Sequence, residues 1–252
     1  MQSLEDRMKG YENIWRTAMP KRLPVAVRVD GRAFHTFTRG MDKPYDEILA
    51  KSMEATLLAL CKEIEGAVIG YWQSDEITVI LRNDQTFETQ AWFDNSVQKC
   101  ASMAAAIATR AFNRAFLELS EPQAEKYAKQ RKTLALFDAR VFILPKEEAC
   151  NCLLWRQQDA IRNSIEGTAQ ANFPQKAING LDCEALKAKL SKEKGIDWDT
   201  LPPVRKWGEC ALKEDAEIDD GKGGKTIRKK WSLDGGKTLF SKSQDAIASL
   251  LS

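Results

Sequence analysis

The chain has 252 residues, with 38 Lys+Arg against 36 Asp+Glu, six cysteines and a single histidine. At 43% hydrophobic and 29% charged it has the balance of a folded globular protein, and no apolar run approaches the ~20 residues that span a bilayer. A net charge of +2 neither requires nor forbids a nucleic-acid partner, because a local patch outweighs the total.

This length supports one sizeable core with embellishments rather than two equal domains. The opening stretch MQSLEDRMKGYENIW carries acids and no apolar segment, so no secretory leader is expected and the protein reads as cytoplasmic. Cys61, Cys100, Cys150, Cys152, Cys183 and Cys210 are scattered without a C-x-x-C pair, as reduced core thiols would be. A multi-histidine metal site is excluded, and any His-based nucleophile would depend on His35 alone. The chemistry therefore falls to carboxylates, Lys, Arg and a hard metal ion.

In chain order, Leu23 to Asp30 alternates as a strand, with Val25, Val27 and Val29 on one side. After Pro44, Leu49, Met53, Leu57, Leu60 and Ile64 recur at helical spacing, predicting a helix from Asp46 to Ile64. Ala67 to Gln73 and Glu76 to Arg82 are β-prone runs joined at Ser74-Asp75, a hairpin. A helix is predicted from about Ala91 to Leu117, with Phe93, Val97, Ala101, Ala104, Ala108 and Ala111 inward. Phe137 to Leu144 alternates again, and a third helix follows from about Lys146 to Phe173. The order β-α-β-β-α-β is the ferredoxin-like pattern of an α+β fold: an antiparallel sheet with its crossover helices on one face. Ala139, Val141 and Ile143 join the valines and Ile77, Val79 and Leu81 on that face. The other face receives Arg28, Asp30, Glu76, Arg82, Asp138 and Arg140, an open charged surface or simply the solvated side of the sheet. Residues 1–173 form this ferredoxin-like unit. Residues 174–252 read as an appendage on the same domain: a helix over Leu181 to Lys194, a break at Pro202-Pro203, a strand over Arg205 to Leu212, then an acidic stretch and a Gly/Lys-rich turn leading to a partner strand at Thr226 to Trp231.

Asp30 ends the first strand and Asp75 sits in the hairpin turn, so this topology brings both to one end of the sheet. Two neighbouring carboxylates repel, and Mg²⁺ relieves that repulsion while bridging phosphate oxygens. Asp30-Gly31 is also an ordinary turn dipeptide, and spacing alone leaves both readings open. The following loop carries Arg32, His35, Arg39 and Lys43, a basic cradle for a triphosphate or a solvated loop anchored by Phe34 and Phe37. On the third helix Arg156, Asp159 and Asn163 share one face, which by pattern alone reads as exposed with an ordinary Arg–Asp pair.

The segments V-R-V-D-G-R-A-F-H, Y-W-Q-S-D-E-I, F-D-A-R-V-F-I-L-P and L-W-R-Q-Q-D together resemble the tRNA-His guanylyltransferase family and its bacterial and archaeal relatives, the 3′–5′ RNA polymerases. They occur in family order within residues 1–173. The resemblance implies a polymerase-like palm that adds nucleotides to the 5′ end of tRNA, using ATP and/or GTP and two Mg²⁺ ions. It implies metal ligation by Asp30, Asp75 and the Gly31 carbonyl, with Glu76 as the neighbouring acid of the catalytic set. It places Asp30, Gly31, Arg32, Ala33, Phe34 and His35, then Ser74 and Asp75, at the nucleotide, and Lys43 near the triphosphate. Arg28, Arg140, Arg156 and Asn163 are candidate phosphate or RNA contacts. A homotetramer, a dimer of dimers, is the implied assembly, with the long helix from Ala91 as a contact surface. Where enzymes dedicated to tRNA-His carry His-Ile-Asn-Asn, this chain has Ile161-Arg162-Asn163-Ser164. That departure points toward relatives that rebuild 5′-truncated tRNAs against a template. Two alternatives use the same residues: a palm-type nucleotidyl cyclase, which needs no RNA, and a non-catalytic RNA-binding module.

Overall fold

The computed structural model describes residues 2–219 and 225–251. Its elements are α1 (Leu4–Asn13), β1 (Val25–Gly31), α2 (Phe34–Phe37), α3 (Glu47–Glu63), β2 (Ala67–Gln73), β3 (Glu76–Leu81), α4 (Val97–Leu119), α5 (Ala128–Thr133), β4 (Phe137–Ile143), α6 (Lys146–Asn172), α7 (Cys183–Lys194), α8 (Pro203–Trp207), β5 (Glu209–Asp219), β6 (Lys225–Leu233) and α9 (Gln244–Leu251). The sheet runs β4-β1-β3-β2-β5-β6, antiparallel throughout. Its first four strands have the expected ferredoxin-like order.

The crossover helices α3 and α4 cover one face. Val25, Val27, Val29, Ile77, Val79 and Leu81 are buried there, with Ala139, Val141 and Ile143 packed against them. Asp46 caps α3, its carboxylate accepting the Leu49 amide at 3.0 Å. The α4 stripe is rotated from the expected one. Cys100, Ala104, Ile107, Ala108, Phe112 and Phe116 are buried, while Phe93 is 39% exposed. The helix begins only at Val97 because Phe93, Asp94 and Asn95 all take positive φ, which breaks the predicted first turn.

The other face is not open along its length. Helices α6 and α9 lie over it, and Ala26, Ile69, Tyr71 and Ile80 are buried with Ala149, Leu153, Phe240, Ile247 and Leu251. The end carrying Arg28, Asp30, Asp138 and Arg140 stays accessible. Arg82, expected on the charged surface, is buried against Asp84 at 2.8 Å.

Beyond residue 174 the strand expected at Arg205 to Leu212 starts later. Pro203 opens α8, and Gly208, at φ +76°, turns the chain so that β5 begins beside Trp72. Glu214, Asp215 and Glu217 of the acidic stretch lie within β5. Asp215 pairs with Lys229 and Glu217 with Lys225, each at 2.9 Å, so opposite charges support the β5–β6 ladder. The predicted Gly/Lys-rich tip lies outside the described residues.

Candidate active site

The site grows from the junction of β1 with the β2–β3 hairpin. The Gly31 amide donates to the Asp75 carbonyl at 3.1 Å, which ties the end of β1 to the turn. Asp30 and Asp75 are thereby brought to one sheet end. In register, Asp30 lies between Glu76 on β3 and Asp138 on β4, so three acids cross the sheet in one row. Like charges directly opposite are destabilising, and the structure relieves this unevenly. Glu76 receives Arg156 Nε at 2.6 Å, and the same guanidinium holds Asp159 at 2.8 Å. Asp138 has Arg140 at 3.9 Å in solvent. Among the described residues neither Asp30 nor Asp75 is ion-paired with a Lys or Arg.

Burial raises the Asp75 carboxyl above its ordinary range. The Ser74 hydroxyl, donating at 3.0 Å, opposes this, and nearby Asp30 adds to it. Glu76 is also raised, burial outweighing the Arg156 cation beside it. The arrangement concentrates negative charge at a half-buried sheet end and leaves it uncompensated.

The loop after β1 is fixed from its apolar side. Phe34 and Phe37 are buried, their rings 5.1 to 5.9 Å from Phe112, Phe116 and Phe137. A Cβ at Gly31 would meet the Phe34 ring, so glycine lets the aromatic anchor pass under the strand end. Gln130 donates to the Phe37 and Arg39 carbonyls at 2.8 and 3.1 Å, and Tyr127 to the Asp46 carboxylate at 3.0 Å. Arg32, His35, Arg39 and Lys43 remain exposed above this base. Ala33 (φ 53°) and Ser74 (φ 51°) both sit in the left-handed region, at the two turns that frame the carboxylates. Backbone strain of this kind persists where surrounding structure over-determines it, as at ligand-binding turns.

Beside the carboxylates lies a cleft of about 490 Å³. Lys43, Ser74 and Asn163 all line it, with apolar walls from Tyr45, Leu49, Trp72 and Leu201. One wall, Ile196 to Arg205, comes from the C-terminal region, which sequence reasoning had not connected to the site. Ser164 makes that connection: its hydroxyl donates to the Arg205 carbonyl at 2.7 Å and accepts from Trp198 Nε1 at 3.0 Å.

Arg156 corrects the expected exposed face of the third helix, being only 7% exposed and turned onto the sheet. Arg28 lies between Arg140 and Thr78 in register, one row behind the acids. Trp155 was not singled out from the sequence. It lies over two guanidinium groups, those of Arg156 and Arg28, at 4.4 and 5.8 Å. Its neighbour Arg156 in W-R-Q was the available signal. Among the described residues no three His, Cys, Asp or Glu converge as a metal cage, and all six cysteines are unpaired.

A ferredoxin-like sheet with paired carboxylates at one end is the palm of nucleotidyl-transferring enzymes. Comparison with known proteins agrees. The tRNAHis guanylyltransferase family model matches residues 5–145, and the chain belongs to that family, as a nucleotidyltransferase. A bacterial tRNA(His) guanylyltransferase-like protein solved in complex with ATP is 41% identical, with a TM-score of 0.87 over 99% of both chains. A second such structure, in complex with GTP, is 38% identical at a TM-score of 0.83, again over 99% of both chains. A probable tRNA(His) guanylyltransferase from Drosophila melanogaster is 28% identical over 85% of this chain and 72% of its own.

Proposed function

We propose that this protein is a Mg²⁺-dependent, template-directed 3′–5′ nucleotidyltransferase that acts on tRNA 5′ ends and takes ATP and GTP as substrates. The observation that carries the reading is the Gly31–Asp75 hydrogen bond, which brings two carboxylates without cationic partners to one point. Hard oxygen donors suit Mg²⁺, which binds through one or two carboxylates plus substrate phosphates and water rather than in an all-protein cage. The absence of a third acidic ligand among the described residues is compatible with that mode. Asp30, Asp75 and the Gly31 carbonyl would hold the metal, whose chemistry is to neutralise phosphate charge and activate the attacking hydroxyl.

The chain's own residues then bind and orient. Lys43 and the basic loop meet the triphosphate, beside the cleft lined by Tyr45, Leu49 and Trp72. Arg28 and Arg140 stabilise charge on the transferring phosphoryl group. The 3′-hydroxyl oxygen of the added nucleotide bonds to the activated 5′ phosphorus as pyrophosphate or AMP leaves. Glu76, held by Arg156, fixes the hairpin that presents Asp75.

Repair of truncated tRNA is favoured over strict guanosine addition to tRNA-His. At the four positions that replace His-Ile-Asn-Asn, Ile161 packs on the α7 cluster, Arg162 pairs with Asp159 and Ser164 is bound to the C-terminal wall. Asn163 and Ser164 both line the cleft, and of the four positions Asn163 alone keeps the His-Ile-Asn-Asn residue. Assembly into a homotetramer is part of the same reading. It is supported by α1, which buries none of its residues and shows Leu4, Met8 and Tyr11 to solvent, followed by Trp15 at 83% exposure. Sedimentation of the full chain as a particle of about 28 kDa only would refute it.

The deciding experiment incubates the protein with Mg²⁺, nucleoside triphosphates and a labelled 5′-truncated tRNA, beside full-length tRNA-His. Template-matched growth of the truncated RNA, abolished by Asp30→Ala or Asp75→Ala, is the expected result. Cyclic nucleotide formation without RNA, or RNA binding with no turnover, would overturn the reading.

A further inference from the structure

We propose that Trp155 is a stacking platform for a nucleobase whose phosphate lies on Arg28 and Arg140; the identity of the ligand rests on the nucleotide-transfer reading above. Three independent observations converge on it. Trp155 is 54% exposed on α6, although Leu153, Arg156 and Gln157 around it are buried. A large aromatic left in solvent beside a polar site forgoes burial that the fold could otherwise have given it.

The ring is also held in place. Arg156, whose guanidinium is 4.4 Å from the ring centroid, is locked by Glu76 at 2.6 Å and Asp159 at 2.8 Å. Trp155 therefore rests on a fixed cation rather than on a mobile side chain, which lowers the ordering cost of stacking on it.

The third observation is the anion-seeking row beneath. Arg28 precedes Asp30 by two residues on the same face of β1, roughly 7 Å along the strand. Arg28 and Arg140 are direct cross-strand partners, and two like charges so placed repel unless an anion lies between them. Arg28 Nε and the hydroxyl of its other cross-strand partner, Thr78, are buried without hydrogen-bond partners. Buried polar atoms are rarely left unsatisfied, and a bound phosphate would answer Arg28. Arg28 also lies 5.8 Å from the Trp155 ring centroid, so phosphate and base positions adjoin as they do within one nucleotide. Base–aromatic stacking is tolerant of sequence, which suits an enzyme that adds whichever nucleotide the template selects. The base is that of the incoming triphosphate or of the RNA 5′ terminus, and the experiment separates the two.

Binding to the full-length protein and to Trp155→Ala and Trp155→Phe is measured by calorimetry. The ligands are GTP, ATP, inorganic tripolyphosphate, a 5′-truncated tRNA, and the same RNA with an abasic 5′-terminal nucleotide. Trp155→Ala is expected to weaken either the nucleoside triphosphates or the intact-ended RNA by about tenfold or more, while tripolyphosphate binding is unchanged. Trp155→Phe should restore most of the loss. Loss on the triphosphates assigns the platform to the incoming base. Loss on the intact-ended RNA but not on its abasic counterpart assigns it to the RNA terminus. Unchanged binding of every ligand overturns the proposal. Equal loss of tripolyphosphate and GTP also overturns it, because the ring would then only prop the arginines. These assays need no turnover, so base-dependent loss in a chain that transfers nothing would sink the transfer reading and leave the platform standing.

Discussion

Replacing Arg156 by Met should destabilise the fold far more than any surface ion pair does. Arg156 and Glu76 are 7% and 9% exposed and joined at 2.6 Å, with Asp159 on the same guanidinium at 2.8 Å. Removing the cation leaves Glu76 buried, unpaired and in register with Asp30. Breaking a buried pair in this way costs about 3–5 kcal/mol. At about 2–4 °C per kcal/mol for a chain of this size, Tm falls by about 6–20 °C. The exposed Asp215–Lys229 pair, at 2.9 Å, should contribute under about 1 kcal/mol. Glu76→Gln combined with Arg156→Met should recover most of the loss, since the charge that needed a partner is gone. The deficit also has a pH signature. Burial already holds the Glu76 carboxyl above its ordinary 4.5, and loss of Arg156 raises it further. A raised carboxyl lets the folded state hold its proton more tightly, so stability falls as pH rises above that range. Arg156→Met should therefore lie closer to wild type at pH 5 than at pH 8. Thermal melts of the two single variants and the double variant test this. A drop below about 2 °C, or a double variant as unstable as Arg156→Met, would refute the reasoning.

The same electrostatics apply to Asp75, raised by burial first and by Asp30 in addition. Without divalent cations Asp75→Asn should melt above wild type at pH 7. Mg²⁺ should raise the melting temperature of wild type only, and transfer should be lost; a lower melting temperature in calorimetry would contradict the argument. Glu54 is pushed up to about 7, chiefly by burial and then by Glu209 and Glu47. Its stabilising contribution is present at pH 4.5 and lost through pH 7, so Glu54→Gln should match wild type at pH 5 and exceed it at pH 8 in thermal melts. Phe34→Ala removes a ring packed 5.1 Å from Phe137 and 5.6 Å from Phe112. It should cost about 3–5 kcal/mol in denaturant titration, and loosening the loop from Arg32 to Lys43 should raise KM for the nucleoside triphosphate.

What could be read from the sequence follows the reach of each signal. Alternation located β1, β3 and β4 and assigned Val25, Val27 and Val29 to the helix-covered face, because a period of two responds directly to one-sided burial. The convergence of Asp30 and Asp75 followed from topology, since order alone places the β2–β3 turn beside the end of β1. The other face of α6 was misread because a helix with an Arg and an Asp three residues apart looks solvated. Arg156 is buried by Glu76, a partner 80 residues away that no local pattern can supply. The C-terminal wall of the cleft was invisible for the same reason: Ser164 and Arg205 meet only in the folded chain. The start of α4 slipped because three successive left-handed residues carry no glycine to announce them.

The site combines rigid placement with unpaid charge, and the two depend on each other. Strand pairing fixes Asp30 beside Glu76 and Asp138 whatever the electrostatic cost, since register is set by the apolar residues on the opposite face. Arg156 then relieves Glu76, and Arg140 lies near Asp138, which leaves Asp30 and Asp75 as the uncompensated pair. One row behind, Arg28 and Arg140 repeat the pattern with the sign reversed. A sheet end that presents two unpaired anions followed by two adjacent cations is matched by a ligand with the opposite order of charge: a cation at the carboxylates and phosphates over the arginines. The metal-bound nucleotide of the proposed reaction has that order. The fold thus holds energy against itself at this end that substrate binding can release, which is why neutral variants here should gain stability as they lose function.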